Sequence, residues 1–181
     1  MSQAIALVFE ERQYTLPELD ALATGMATVL ERRGVRPKDR VALMSSNRPE
    51  FVIALWAIWR LGAAAVLLSP AWKRAEVEHA LALTTPSHAV GDHPVLSQLM
   101  PMLSLDEAIT PGQRTFETPR LQSDALFVFS SGTTGMPKAV RHTHGRSPSR
   151  CGTGVTRCTC RRPTGCRSSR RLRTSSACST S

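Results

Sequence analysis

The fold of this chain is decided by the stretch Val41–Leu68, VALMSSNRPEFVIALWAIWRLGAAAVLL. It contains two short apolar runs, Val41–Met44 and Ala63–Leu68, and between them apolar residues at helical spacing over Phe51–Leu61. Apolar runs this short are typical of strands that are buried on both faces. Two such strands joined by a helix predict a β–α–β unit with a parallel sheet.

A capped helix is predicted upstream of this unit. Thr15 and Glu18 have the spacing of a capping box, and Tyr14 and Leu19 are placed as a hydrophobic staple. Apolar residues recur at helical spacing from there to Gly34, which supplies the stop.

Downstream, the alternation of helices and strands continues. Apolar patterns predict a helix over 76–83, a strand over 87–90, a helix over 94–100 and a buried strand over 125–129. The segment Leu103–Leu121 contains Pro111, Gly112 and Pro119 and is predicted to be a connection. The whole pattern predicts an α/β fold with a mostly parallel sheet flanked by helices.

Charge and cysteine both separate the chain into a body and a tail. The net charge of +9 comes from 23 basic and 14 acidic residues. Nine of the basic residues are arginines of 145–181, so the remaining 14 balance the 14 acidic residues of 1–144. All five cysteines also lie in 145–181, and a body without cysteine fits the reducing cytoplasm. The start of the chain lacks the pattern of a signal peptide.

A membrane span is the alternative for the apolar stretch Phe51–Leu68. Arg60 and Gly62 interrupt it near the middle, and a charge at that depth of a bilayer is costly. The uninterrupted apolar part is also too short to cross a bilayer. We therefore predict no transmembrane segment.

A loop rich in glycine and hydroxyl groups follows the last predicted strand, with the sequence SSGTTGMPK over Ser130–Lys138. Its glycines let the backbone aim N–H groups at one point, its hydroxyls add donors, and its lysine adds a positive charge. The pattern is neither a Walker A loop nor a dinucleotide fingerprint, and a polar surface loop remains the alternative. The candidate phosphate-binding residues are Ser130, Ser131, Gly132, Thr133, Thr134, Gly135 and Lys138.

The stretch Phe129–His144, FSSGTTGMPKAVRHTH, resembles the signature loop of the adenylate-forming enzymes, which include acyl-CoA synthetases, luciferases and adenylation domains of peptide synthetases. The likeness continues upstream through Thr15–Pro70 and covers about Leu7–His144. Ala139 departs from the glycine that is usual in the family. The resemblance implies that 1–144 is part of the large N-terminal domain of such an enzyme.

For the acyl-CoA synthetase type, the resemblance implies two half-reactions. A small-molecule carboxylate attacks the α-phosphate of ATP to form an acyl-adenylate, and coenzyme A then displaces AMP. The loop Ser130–Gly135 and Lys138 would hold the β- and γ-phosphates, with Mg²⁺ nearby. A fatty acid is the default substrate. The family's catalytic, metal-binding and acyl-binding residues lie further downstream than this sequence extends, so no catalytic or metal-ligating residue is assigned.

The tail 145–181 consists almost entirely of Arg, Ser, Thr, Cys, Gly and Pro, and a disordered basic arm is predicted. Nucleic-acid binding is disfavoured because the tail has no aromatic residue for base stacking. A metal site is disfavoured because it has no histidine and no CxxC pair.

A frameshift is the hypothesis that we favour for the tail. Codons in a shifted frame from Val155 onward permit DALHLPPTDRLQIVTPPSHILGLLNL, which resembles the family's continuation after the loop. We therefore expect the gene to be broken or misread, and this chain to be a truncated fragment that is inactive and poorly soluble alone. The alternatives are a fragment that binds ATP or a partner without catalysis and a nucleic-acid binder. Sequencing the gene from the codon of Arg141 onward tests the frameshift. A tail whose codons encode no family-like sequence in a second reading frame would refute it.

Overall fold

The computed structural model describes residues 4–107, 109–130 and 136–145, all within one structural unit, Met1–Arg150. The helices of these residues are α1 (Leu16–Arg32), α2 (Pro49–Arg60), α3 (Arg74–Thr84) and α4 (Pro94–Leu99). The strands are β1 (Ile5–Phe9), β2 (Arg12–Thr15), β3 (Arg40–Met44), β4 (Ala64–Leu68), β5 (His88–Gly91), β6 (Met102–Ser104), β7 (Asp124–Ser130) and β8 (Lys138–Thr143).

The main sheet has the strand order β6-β5-β3-β4-β7-β8. Every neighbouring pair in it is parallel except β7 and β8, which are antiparallel. The first two strands, β1 and β2, form a separate antiparallel hairpin. The predicted α/β class and the mostly parallel sheet are confirmed.

The sheet is buried on both faces, as the apolar runs predict. Val41 and Leu43 of β3 belong to a core cluster with α1 and α2, whereas Ala42 and Met44 belong to a cluster with α3 and α4. Alternate residues of a strand point to opposite faces. The helices therefore lie in two layers, one on each side of the sheet.

The predicted ends of α1 and α2 agree with the structure. The Thr15 hydroxyl accepts a hydrogen bond from the backbone N–H of Glu18 at 3.4 Å, so one half of the capping box forms. The Glu18 carboxylate pairs with Arg12 at 3.3 Å. Gly34 and Gly62 follow the two helices with positive φ angles of 95° and 67°, which glycine adopts without strain.

The hairpin β1–β2 and strands β6 and β8 were not predicted from the sequence. Strand β1, IALVF, is an apolar run that was not recognised as a strand, whereas β2 has four residues and β6 three, too few for a clear pattern. Strand β8, KAVRHT, is exposed over its first four residues and is formed by pairing with β7. Part of the predicted connection, which began at Leu103, is therefore strand β6.

None of the described helices has the length and apolarity needed to cross a membrane. The predicted disorder and frame of the tail concern residues almost wholly outside the described ranges, and these expectations remain predictions.

Candidate functional site

The first and last of the predicted phosphate-binding residues lie on the two paired strands of a β-hairpin. Strand β7 ends at Ser130, strand β8 begins at Lys138, and these two residues are register partners. Both are exposed. The other predicted residues, Ser131–Gly135, lie outside the described residues. The structure thus brings the first and last predicted site residues together at the two ends of one loop.

This hairpin turns at the carboxyl edge of the sheet. Strand β7 pairs in parallel with β4, and β4 pairs in parallel with β3. The chain therefore leaves β3, β4, β5, β6 and β7 at the same edge, because all five run in the same direction. Ligands of open α/β sheets bind in the crevice outside this edge.

The two cationic residues of β8, Lys138 and Arg141, lie on opposite faces of the strand. Lys138 and Val140 lie on one face of the strand, and Ala139 and Arg141 lie on the other, because side chains alternate. The Nε atom of Arg141 is 3.5 Å from a carboxylate oxygen of Asp124, at the start of β7. Lys138 is exposed at the end of the loop, where an ammonium group is accessible to phosphate oxygens.

A second polar group at the same edge joins the segments that follow β3, β5 and β6; we call it the Asp92 cluster. Asp92 accepts hydrogen bonds from the backbone N–H of Ser46 at 3.1 Å and from its hydroxyl at 2.6 Å. The Arg48 guanidinium donates to Asp106 at 2.7 Å and to Glu50 at 2.8 Å, and approaches Asp92 at 3.5 Å. From the sequence, a helix was predicted after β3 but no polar cluster.

The charges of the Asp92 cluster stabilise one another. Burial acts to raise the pKa of the Asp92 carboxyl, but hydrogen bonds from Ser46 and Arg48 outweigh it and hold that pKa below its ordinary value. Hydrogen bonds to Asp106 and Glu50 raise the pKa of Arg48. Both groups are therefore ionised at neutral pH, and they tie three loops of the carboxyl edge together.

We expect Asp92→Asn to lower the free energy of unfolding by about 2 kcal/mol at pH 7, because charged hydrogen bonds are lost. The folded carboxyl has the lower pKa, so its contribution is present above the unfolded pKa of about 4 and is lost as the pH falls through the folded value. Chemical denaturation at pH 7 and pH 3 measures this loss.

The control for that measurement is Asp106→Asn, because the Asp106 side chain is 71% exposed and should contribute less. An equal loss for Asp92→Asn at both pH values would show that its charge does not matter.

The histidine that follows β8 is held inside the fold. The Nε2 atom of His144 is buried and has no hydrogen-bond partner among the residues that the structure describes. Burial lowers the pKa of its imidazole, which is therefore neutral at pH 7. Its backbone N–H donates to the carbonyl of Ser123 at 3.1 Å, which fixes the end of the hairpin.

Two residues beside the loop were not selected by the sequence analysis. Trp72 packs against Phe129, and His79 contacts the carbonyl of Pro137. Both come from the segment between β4 and the middle of α3, more than fifty positions earlier in the chain. Local sequence carries no signal for such contacts.

Comparisons with known proteins agree with this geometry. The family model described as AMP-binding enzyme matches residues 1–167, which extends past His144 into the tail. Tyrocidine synthase 2 of Brevibacillus parabrevis is 34% identical over 154 residues, covering 80% of this chain and 4% of the relative. A salicyl-AMP ligase / salicyl-S-ArCP synthetase of Mycobacterium tuberculosis is 31% identical over 153 residues, covering 70% of this chain and 27% of the relative.

A solved structure extends the likeness to three dimensions. O-succinylbenzoate coenzyme A synthetase of Bacillus subtilis, in complex with ATP and magnesium ion, superposes with a TM-score of 0.69 and 28% identity. The match covers 78% of this chain and 40% of that one. The chain thus spans less than half the length of each of these three relatives.

Proposed function

Because this chain belongs to the AMP-binding enzyme family, we propose that it supplies the ATP phosphate-binding part of an enzyme that activates a small-molecule carboxylate. The observation that carries the proposal is the hairpin with exposed Ser130 and Lys138 at the two ends of its loop. The loop follows a parallel strand at the carboxyl edge, where ligands of such sheets bind.

The proposed roles follow from the chemistry of the side chains. The Ser130 hydroxyl donates a hydrogen bond, and the Lys138 ammonium donates charge-assisted hydrogen bonds, to β- and γ-phosphate oxygens. Residues Ser131, Gly132, Thr133, Thr134 and Gly135 are proposed to contribute backbone and hydroxyl donors. These groups position the leaving pyrophosphate and stabilise its developing charge. Bound Mg²⁺ would neutralise part of the phosphate charge, as in other phosphoryl sites.

The acyl-CoA synthetase type is the finer form of the proposal. The solved relative from Bacillus subtilis is a coenzyme A synthetase, which supports coenzyme A as the acceptor of the acyl group. The relatives also include a peptide synthetase and a salicyl-AMP ligase, so the acid need not be a fatty acid. Fatty acid metabolism is the default proposal for the pathway, and the cytoplasm for the location.

The alternatives from the sequence analysis gain no support from these comparisons. Neither a nucleic-acid binder nor a non-catalytic binding fragment is borne out, because the family model that matches is that of an enzyme. The expectation of an inactive, truncated chain is not borne out by the comparisons either.

The test of the proposal is titration of the whole chain with ATP and Mg²⁺ by calorimetry. We expect saturable binding that inorganic pyrophosphate competes with, because the proposed contacts are to the leaving-group phosphates. AMP, which lacks those phosphates, should compete much less. A folded chain that binds no ATP would refute the proposal. Carboxylate-dependent exchange of pyrophosphate into ATP would extend it to the first half-reaction.

A further inference from the structure

The start of the loop is held by an aromatic contact. The rings of Trp72 and Phe129 are 5.2 Å apart and nearly perpendicular at 80°, an edge-to-face arrangement that aromatic pairs favour. Phe129 immediately precedes Ser130, the last residue of β7. Both rings pack against the core cluster that contains Val77 and Phe127. The backbone is therefore anchored one residue before the loop begins.

The end of the loop is held by a hydrogen bond. The Nε2 atom of His79 lies 3.2 Å from the carbonyl oxygen of Pro137, the residue before Lys138. A proline carbonyl can only accept, so the Nε2 atom of His79 carries the proton. Pro137 is buried, although Met136 and Lys138 on either side of it are exposed. A buried carbonyl that lacks a donor is costly, which gives this hydrogen bond a structural purpose.

Both anchors come from one rigid segment. The backbone N–H of Trp72 donates to the carbonyl of Ser69 at 3.1 Å, and Lys73 donates to the Glu76 carboxylate at 2.8 Å where α3 begins. Val77 and Ala80 of α3 are fully buried against the sheet. The backbone that carries Trp72 and His79 is therefore fixed against the core.

We propose that Trp72 and His79 are positioning residues that fix the two ends of the phosphate-binding loop. They act through Phe129 and Pro137, which immediately precede Ser130 and Lys138, and so hold the backbone at both ends of the loop. The inference rests on the proposed function of the loop. It gives the segment between β4 and the middle of α3 a role in nucleotide affinity. The sequence does not reveal this role, because the segment and the loop are far apart along the chain.

The experiment compares His79→Leu with His79→Gln in the whole chain. Leucine removes the donor to Pro137, whereas the glutamine amide nitrogen can take the place of Nε2. Without nucleotide, we expect amide hydrogens of 138–140 to exchange about tenfold faster in the leucine variant only, because local opening becomes easier. Glu78→Ala is the matched control, since Glu78 is exposed on α3 and pairs only with Arg74 in the described part of the chain.

The second readout is affinity for ATP with Mg²⁺. His79→Leu should bind about tenfold more weakly while the chain stays folded, and His79→Gln should recover most of the loss. Trp72→Leu tests the other end of the loop in the same way and should weaken affinity too. Unchanged exchange at 138–140 in His79→Leu, or an equal loss of affinity in Glu78→Ala, would overturn the inference. Amide exchange decides it even if wild-type chain binds no ATP, an outcome that would refute the proposed function alone.

Discussion

Replacing Lys138 with alanine is expected to weaken ATP binding by about tenfold to a hundredfold while the chain stays folded. A hydrogen bond to a charged group contributes about 1.5–3 kcal/mol, and each 1.4 kcal/mol corresponds to a factor of ten in affinity. Lys138 is exposed at the first position of β8, so its loss creates no cavity. Calorimetric titration with ATP and Mg²⁺ measures the change, and circular dichroism confirms the fold.

Arg141→Ala is the matched control for this substitution. It removes one positive charge from the same strand, but from the opposite face, where Arg141 pairs with Asp124 at 3.5 Å. We expect the ATP affinity of Arg141→Ala to stay within about twofold of wild type. Arg141 lies on the other face of the strand, three positions from Lys138, and solvent and salt screen an exposed charge there. An equal loss in both variants would mean that the net charge of β8, and not a contact from Lys138, attracts the nucleotide.

Replacing Gly91 with alanine is expected to lower the free energy of unfolding by about 3 kcal/mol, the upper range for overpacking a core. Gly91 ends β5 and pairs with Met44 of β3. An added Cβ would lie 2.1 Å from the carbonyl oxygen of Met44 and 3.2 Å from the sulfur of Met102. A backbone carbonyl in a sheet cannot rotate away, so β3 and β5 must separate. Urea denaturation followed by circular dichroism measures the loss.

The control for Gly91 is Gly34→Ala, which separates steric overlap from backbone strain. Gly34 has a φ of 95°, but the nearest atom to an added Cβ there is His88 Cε1 at 3.8 Å. We expect a cost of about 1–2 kcal/mol from the left-handed conformation alone. A Gly91→Ala variant as stable as wild type would show that the two strands are further apart than in this structure.

The helices and the strands β3, β4, β5 and β7 could be predicted because the signal for each lies in nearby residues. The apolar runs of β3 and β4 and the stops at Gly34 and Gly62 predict strands and helix ends that the structure confirms. Burial on both faces requires an apolar run, and a left-handed residue after a helix favours glycine. Both requirements act over a few positions, so the sequence displays them directly.

Two of the missed strands, β6 and β8, depend on their partners and not on their own composition. Strand β8 contains lysine, arginine and histidine, and its first four residues are exposed. It is a strand because Ser130 and Lys138 pair across the hairpin and extend the ladder toward Asp124. The same holds for β6, which is three residues long and lies beside β5.

The candidate site also has one part that the sequence predicts and another part that only the fold assembles. Ser130 and Lys138 were proposed from the residue types of the loop, because phosphate binding needs glycine, hydroxyl groups and a cation close together in the chain. The partners Trp72 and His79 belong to another element, and the Asp92 cluster joins residues from three loops. Sequence spacing contains no information about which loops meet at the edge of a sheet.

By itself, the sequence determined the fold class, the family and the position of the loop along the chain, since all three are properties of contiguous residues. Only the tertiary structure decided which residues contact that loop at its two ends and which charges meet elsewhere along the same edge of the sheet. The physical reason is that parallel strands bring together segments that are separated by whole helices. Contacts such as that of His79 with Pro137 exist only after the sheet has formed.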